Sequence, residues 1–176
     1  RTISLNSLLV SPDSHHIAYV ARNAGKFFVV LDGNGLTPYD DIAKDTPIFS
    51  PDSKYVVYGA KKGKAWCIVS GSKEMKSYGK VSTPLISPDS KRIAYVAQEE
   101  VKGVKRTFVV VDGKEQKAYD GIVMKPSSLT FSFDSSRFAY VAVKDKKMFV
   151  VCDGIEGKVY DQINTIAFSD DSKHMA

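Results

Sequence analysis

The chain is expected to be all-β, built from repeated four-stranded antiparallel sheets, and three observations on its 176 residues carry that expectation. A turn tetrapeptide recurs five times, as SPDS from Ser11, Ser50 and Ser87, SFDS from Ser132 and SDDS from Ser169. Its spacings are 39, 37, 45 and 37 residues, and a period near forty with short apolar runs between turns is that of stacked sheets. Helical repeats of that length would need long stretches of 3.6-residue periodicity, which are absent from the sequence.

Each element follows in order. A short apolar strand A precedes every turn: LLV from Leu8, IF at Ile48, LI at Leu85, LTF from Leu129 and IAF from Ile166. Runs this short, without polar alternation, suit strands covered on both faces. In the turns, Pro12, Pro51 and Pro88 preset φ at the first central position. Asp13, Asp52, Asp89, Asp134 and Asp171 stand at the next position, where an aspartate bonds its own backbone two residues ahead. Phe133 and Asp170 replace proline in the last two turns, which are therefore expected to be looser.

Strand B then carries an aromatic at a matched position: IAYVA with Tyr19, VVYGA with Tyr58, IAYVA with Tyr95 and FAYVA with Tyr140. Strand C is FFVVL from Phe27, AWCIV from Ala65, TFVVV from Thr107 and MFVVC from Met148, all rich in β-branched and aromatic residues. Tight hairpins are expected at Asp32-Gly33, Ser70-Gly71, Asp112-Gly113 and Asp153-Gly154, where glycine takes positive φ. Tyr39, Tyr78, Tyr119 and Tyr160 then begin strand D. Eight of the nine tyrosines thus hold two fixed repeat positions, which argues for packing between neighbouring sheets, and Tyr55 alone falls outside.

The architecture this implies is a β-propeller of four-stranded antiparallel blades, four repeats plus the start of a fifth. One domain, 1–176, holds repeats at about 8–42, 46–80, 84–122 and 128–163 and a partial one at 165–176. The 45-residue spacing is assigned to a longer loop, QEEVKGVKR from Gln98, read as a solvated extension, and to KPSS from Lys125. Ile3 aligns with Ile42 and Ile163, and KHMA from Lys173 aligns with KRIA from Lys91, so both ends are expected to cut a blade. That pattern calls for a longer repeat array, or for a homo-oligomer whose copies complete blades across the interface.

Composition narrows the function classes. A hydrophobic content of 43% suits a packed core, and 25 basic against 20 acidic residues leave a modest net charge of +5. The basic residues scatter through turns and hairpins, which reads as solvated surface and not as a nucleic-acid groove. No run of 18 apolar residues supports membrane insertion, and RTISLNS at the start has neither region of a signal peptide. Cys67 and Cys152 fall in the same kind of strand two repeats apart, too far for a bridge, and read as buried free thiols.

No hydrolase, zinc or nucleotide signature appears, so no catalytic residue, metal ligand or cofactor is assigned. His15 and His16 point to opposite faces and read with His174 as surface histidines. Gly33-Asn34-Gly35 is a hairpin turn and not a phosphate loop, Ser169 to Ser172 is an ordinary repeat turn and not a calcium loop, and Trp66 reads as core.

The combination of SPDS turns, IAYVA strands, FVVVDG strands and YDGI ends resembles the TolB-type, WD-like propeller repeat, often called the PD repeat, over nearly the whole chain. Members of that family usually carry glycine after the turn aspartate, where this chain has Ser14, Ser53, Ser90, Ser135 and Ser172. The resemblance implies a binding platform for a protein partner, or an accessory domain beside a hydrolase such as a prolyl-oligopeptidase-like peptidase. It also implies a bacterial envelope or extracytoplasmic setting. The glycan-binding or lyase activity of certain related propellers uses histidines at the axis, a set this sequence does not offer.

Overall fold

The computed structural model describes residues 2–3, 8–125 and 127–176, the first pair by backbone alone. The readings of Arg1, and of Pro126 within the KPSS stretch, lie outside the described residues. Two compact units divide the chain, one ending at Pro84 and the other beginning at Leu85. Every regular element among the described residues is a strand, and no helix there is long and apolar enough to cross a membrane.

The first unit contains β1 (Thr2–Ile3), β2 (Leu9–Val10), β3 (Ile17–Asn23), β4 (Lys26–Leu31), β5 (Asn34–Gly35), β6 (Asp41–Ile42), β7 (Ile48–Phe49), β8 (Val56–Lys62), β9 (Ala65–Ser70), β10 (Lys73–Glu74) and β11 (Lys80–Val81). One antiparallel sheet runs β1-β3-β4-β5 with β2 also on β3, and the next runs β10-β9-β8-β6 with β7 also on β8. The second unit contains β12 (Leu85–Ile86), β13 (Ile93–Val101), β14 (Val104–Val111), β15 (Lys114–Glu115), β16 (Gly121–Ile122), β17 (Leu129–Phe131), β18 (Phe138–Lys144), β19 (Lys147–Cys152) and β20 (Ile155–Tyr160). There β12 and β14 flank β13 with β15 beyond β14, and the last sheet runs β16-β18-β19-β20 with β17 also on β18.

The long central strands explain a departure from simple four-stranded repeats. β8 has seven residues along one edge, and β7 pairs with only Val56 and Val57. Further along that edge β6 takes over, pairing Ile42 with Ala60 and Asp41 with Lys61. In the second unit β16 and β17 share β18 in the same way. Backbone groups that one short strand leaves unpaired are thus satisfied by a second. Residues 41–42 and 121–122, placed at the ends of repeats 8–42 and 84–122, therefore belong to the sheet that follows.

Tyr39 ends the fourth strand and does not begin it. The two-residue hairpin brings the chain straight back at Asn34, and Tyr39 closes the run by exchanging two backbone bonds with Phe27, at 2.9 and 2.7 Å. Trp66 with Tyr78 and Thr107 with Tyr119 repeat this bridge, and Tyr160 is the last residue of β20.

At three hairpins both turn residues have positive φ, for example 48° at Asp32 and 81° at Gly33, as a type I′ turn demands. The second repeat differs. Ser70 pairs with Val57 as Leu31 pairs with Ala18, so the turn there is Gly71-Ser72, one residue later than the spacing suggested.

The segment from Gln98 is no loop. β13 and β14 stay paired to their tip, matching Glu99 with Arg106, Glu100 with Lys105 and Val101 with Val104 around Lys102-Gly103.

The core lies on the central strands: Val29, Val57, Ile68, Val109, Val110 and Val141 are fully or almost fully buried. The strand A residues are covered less than expected, Ile48, Phe49, Leu85 and Ile86 being half-buried and Leu9 and Val10 exposed, because only the central strands are paired along both edges.

Gly59 marks the tightest approach. A Cβ there would meet the Cβ of Ala43 at 2.7 Å, whereas the other repeats carry Val20, Val96 and Val141 at this position. Gly59→Val is accordingly expected to cost about 1–3 kcal/mol in urea denaturation; a variant as stable as the parent would contradict this close approach.

Candidate functional site

The repeat turns form the most regular polar arrangement in the molecule. In each, the last serine's N–H reaches back to the first serine's carbonyl, at 2.8 to 2.9 Å across all five. The first serine's hydroxyl donates to the aspartate Oδ1, as Ser50 does to Asp52 at 2.7 Å and Ser132 to Asp134 at 2.6 Å. The same oxygen accepts the N–H five residues on, from His16, Tyr55, Arg92, Arg137 and His174. These hydroxyls work in place of the proline. The turns of Phe133 and Asp170 consequently match the others, with φ of 63° at Ser135 and 60° at Ser172, and are not distorted as expected.

The last serine of each turn is left-handed, with φ between 60° and 64° in all five, where glycine would sit without strain. Its hydroxyl explains its presence. Ser53 Oγ accepts the backbone N–H of Asp13 at 3.1 Å, Ser135 Oγ that of Asp89 at 3.0 Å, and Ser172 Oγ that of Asp134 at 3.1 Å. Each of these bonds links one repeat turn to the turn before it.

Pro12, Pro51 and Pro88 and the turn aspartates Asp13, Asp52, Asp89, Asp134 and Asp171 thus lie in one kind of place, but the serines that organise it were missed. Their signal was in the sequence, since serine stands at both ends of all five tetrapeptides. The carboxyls of Asp13, Asp52, Asp89 and Asp171 are held below the usual aspartate range, first by the serine hydroxyl of the same turn. Asp134, which also accepts from Ser136, is lowered to about 2. Carboxylates so placed stay ionised and act as acceptors, not as general acids.

A second clamp ties the hairpin turn to the repeat turn. Asp32, Asp112 and Asp153 accept the N–H of Ile17, Ile93 and Phe138 and pair with His16, Arg92 and Arg137 at 2.7, 2.9 and 2.9 Å. Arg92 also donates to the carbonyls of Ser135 and Ser136 and lies over the Phe131 ring. Arg137 repeats this with the carbonyl of Lys173 and the ring of Phe168.

The two tyrosine positions meet inside each unit. Tyr39 lies edge-on to Tyr58 with ring centroids 6.1 Å apart, and Tyr119 to Tyr140 at 6.4 Å. Tyr39 donates its hydroxyl to Glu74 at 2.7 Å and Tyr119 to Glu156 at 2.8 Å. Burial pushes the phenols of Tyr58 and Tyr140 up to about 12. Tyr78 and Tyr95 are buried as well, whereas Tyr19 is half-buried and Tyr160 exposed.

Cys67 is buried as expected, but Cys152 is half-exposed, 3.1 Å from Arg137 Nη2. Burial pushes both thiols up, so neither has the lowered pKa of a nucleophile. Trp66 is half-buried beneath Lys61 and is not a core residue, because it lies near the hairpin end of β9. Among the described residues no three His, Cys, Asp or Glu side chains converge on a point where a metal ion would bind.

No family model matches the chain, and no curated protein does. Among solved structures it is similar to a eukaryotic initiation factor at 14% identity and a TM-score of 0.56, over 99% of this chain and 48% of that one. It is similar to the β-propeller domain of the Trilobed protease from Pyrococcus furiosus at 15% identity and a TM-score of 0.51, over 94% and 60%. It is also similar to the acylaminoacyl peptidase of Pyrococcus horikoshii at 14% identity and a TM-score of 0.54, over 89% and 32%. At such identities the likeness establishes the fold. The chain is a run of β-propeller blades, carrying the repeat whose motif resembles the TolB-type, WD-like kind.

Two outcomes follow for the turns. Ser135→Ala loses the acceptor for Asp89 N–H and keeps the left-handed strain, costing about 1–2 kcal/mol, whereas in Ser135→Gly strain relief offsets that loss to within about 0.5 kcal/mol; urea melts of both variants check the order. A depressed carboxyl contributes stability above its unfolded pKa that is lost as pH falls through the folded value. The thermal midpoint should therefore drop between pH 3.8 and about 2, and Asp134→Asn should flatten that drop.

Proposed function

We propose that this chain is a non-catalytic binding module whose contact element for a protein partner is the hairpin of β13 and β14. The observation that carries the reading is the tip of that hairpin. Val101 and Val104, directly opposite one another, are 45% and 63% exposed. The tip is held by the type I′ turn at Lys102-Gly103 and by the ion pair of Glu99 with Arg106 at 2.8 Å. An apolar pair on a preformed hairpin is ordered before binding and loses little entropy on contact. Glu99 and Glu100 balance Arg106 and Lys105 across the strands, which suits a protein surface better than a phosphate backbone. The turn face also supports a binding role, because its carboxylates are occupied with holding neighbouring turns together.

A second reading, an accessory domain of a larger hydrolase, is supported by the likeness to the protease propeller domain and to the acylaminoacyl peptidase. That reading expects an adjoining hydrolase domain in the complete coding sequence.

The binding reading is tested by placing a photo-crosslinking residue at Val104 or, as a control, at Met124, which is 61% exposed. A protein from the native host captured at Val104 and not at Met124 is expected, with Val101→Lys/Val104→Lys reducing capture by about tenfold or more. Equal capture at both positions would overturn the assignment to this hairpin.

A further inference from the structure

The first unit holds a cavity of about 330 Å³, lined by Leu31 and Thr37 from one sheet and by Tyr55, Val56, Val69 and Gly71 from the next. Three of these stand where the second repeat departs from its neighbours. The first residue of strand B is Ile17, Val56, Ile93 and Phe138 in the four repeats, so Val56 is the smallest. The hairpin turn opens with aspartate at 32, 112 and 153, but with Gly71 here. Tyr55 replaces the His16, Arg92 or Arg137 that would pair with such an aspartate, and it is the one tyrosine outside the two repeat positions.

The second unit shows what the same place holds when closed. Phe138 is 4% exposed, with its ring 4.7 Å from that of Phe131 and 5.9 Å from that of Tyr140. It shares a core cluster with Val111 and Val151, the counterparts of Leu31 and Val69. One unit therefore carries a phenyl ring of its own where the other has an isopropyl group beside open space.

We propose that this cavity is a binding site for a single aromatic ring of the phenyl or phenol class. An apolar cavity of about 150 Å³ accepts benzene, so the volume here takes a ring with a substituent. Aliphatic walls supply the burial, and Tyr55 and Thr37 bring polar groups for a hydroxyl or amide on that substituent. The ring is borne either by a free small molecule or by a peptide side chain. This site lies in the other unit from the β13–β14 hairpin and stands independently of the hairpin's role.

The test is a titration of the full chain with p-cresol, followed by amide NMR. Saturable shifts centred on Val56 and Gly71 are expected, weakened about tenfold or more by Val56→Phe and several-fold by Val56→Ile, the side chain of the first and third repeats. Shifts that stay linear in concentration, or that survive Val56→Phe undiminished in a folded protein, would overturn the proposal. Should Val56→Phe fail to fold, undiminished binding by Val56→Ile overturns it equally. Displacement of p-cresol by a blocked Gly-Phe-Gly peptide supports the site with a peptide side chain as its ligand; retention of p-cresol supports it with a free molecule.

Discussion

A small antiparallel sheet has two broad faces and encloses nothing, so its apolar side chains leave water only where another sheet lies over them. Each unit of this chain meets that constraint with a pair of sheets. In the first, Val20, Val29, Tyr39, Val56, Tyr58 and Val69 form one buried cluster drawn from both sheets, and in the second Val96, Val109, Tyr119, Tyr140 and Val151 repeat it. The tyrosine that ends one sheet packs on the tyrosine of the next strand B, and its hydroxyl goes to a glutamate of that next sheet. A bulky ring with one polar end thereby fixes how far one sheet slides over its neighbour.

The turns do at the periphery what the tyrosines do inside. A serine in a left-handed conformation is a local cost, and the chain bears it five times. The compensation is the hydroxyl, which glycine could not supply and which satisfies a backbone N–H of the preceding turn. Arg92 and Arg137 add a longer reach by bonding carbonyls of the following turn while their guanidinium groups lie over a phenylalanine ring. Rigidity at this face leaves the opposite hairpin ends to vary in length, and the hairpin of β13 and β14 is the one that has grown.

Much of this was legible in the sequence because each feature depended on neighbouring residues. Strands B and C announced themselves by composition, and the hairpins by Asp-Gly. The features that escaped depend on partners far away in the chain. Nothing local reveals that Ser53 serves Asp13, or that Asp41 and Ile42 fill the edge left open by the brevity of β7. Gly71-Ser72 was displaced by one residue because Ser-Gly reads as a turn whether or not serine is still in the strand. The loop from Gln98 looked solvated from its charges, yet those charges pair across a continuous hairpin. In the candidate sites the departures from the repeat, Val56, Tyr55 and Gly71, were visible as letters, but that they surround one cavity was not.

The account rests on consecutive sheets being held face to face by matched tyrosines. A double-mutant cycle on Tyr39→Leu and Tyr58→Leu measures that directly by urea denaturation. A coupling of about 0.5–1.5 kcal/mol is expected for two rings packed edge to face. Strictly additive losses, with no coupling between the two positions, would contradict it.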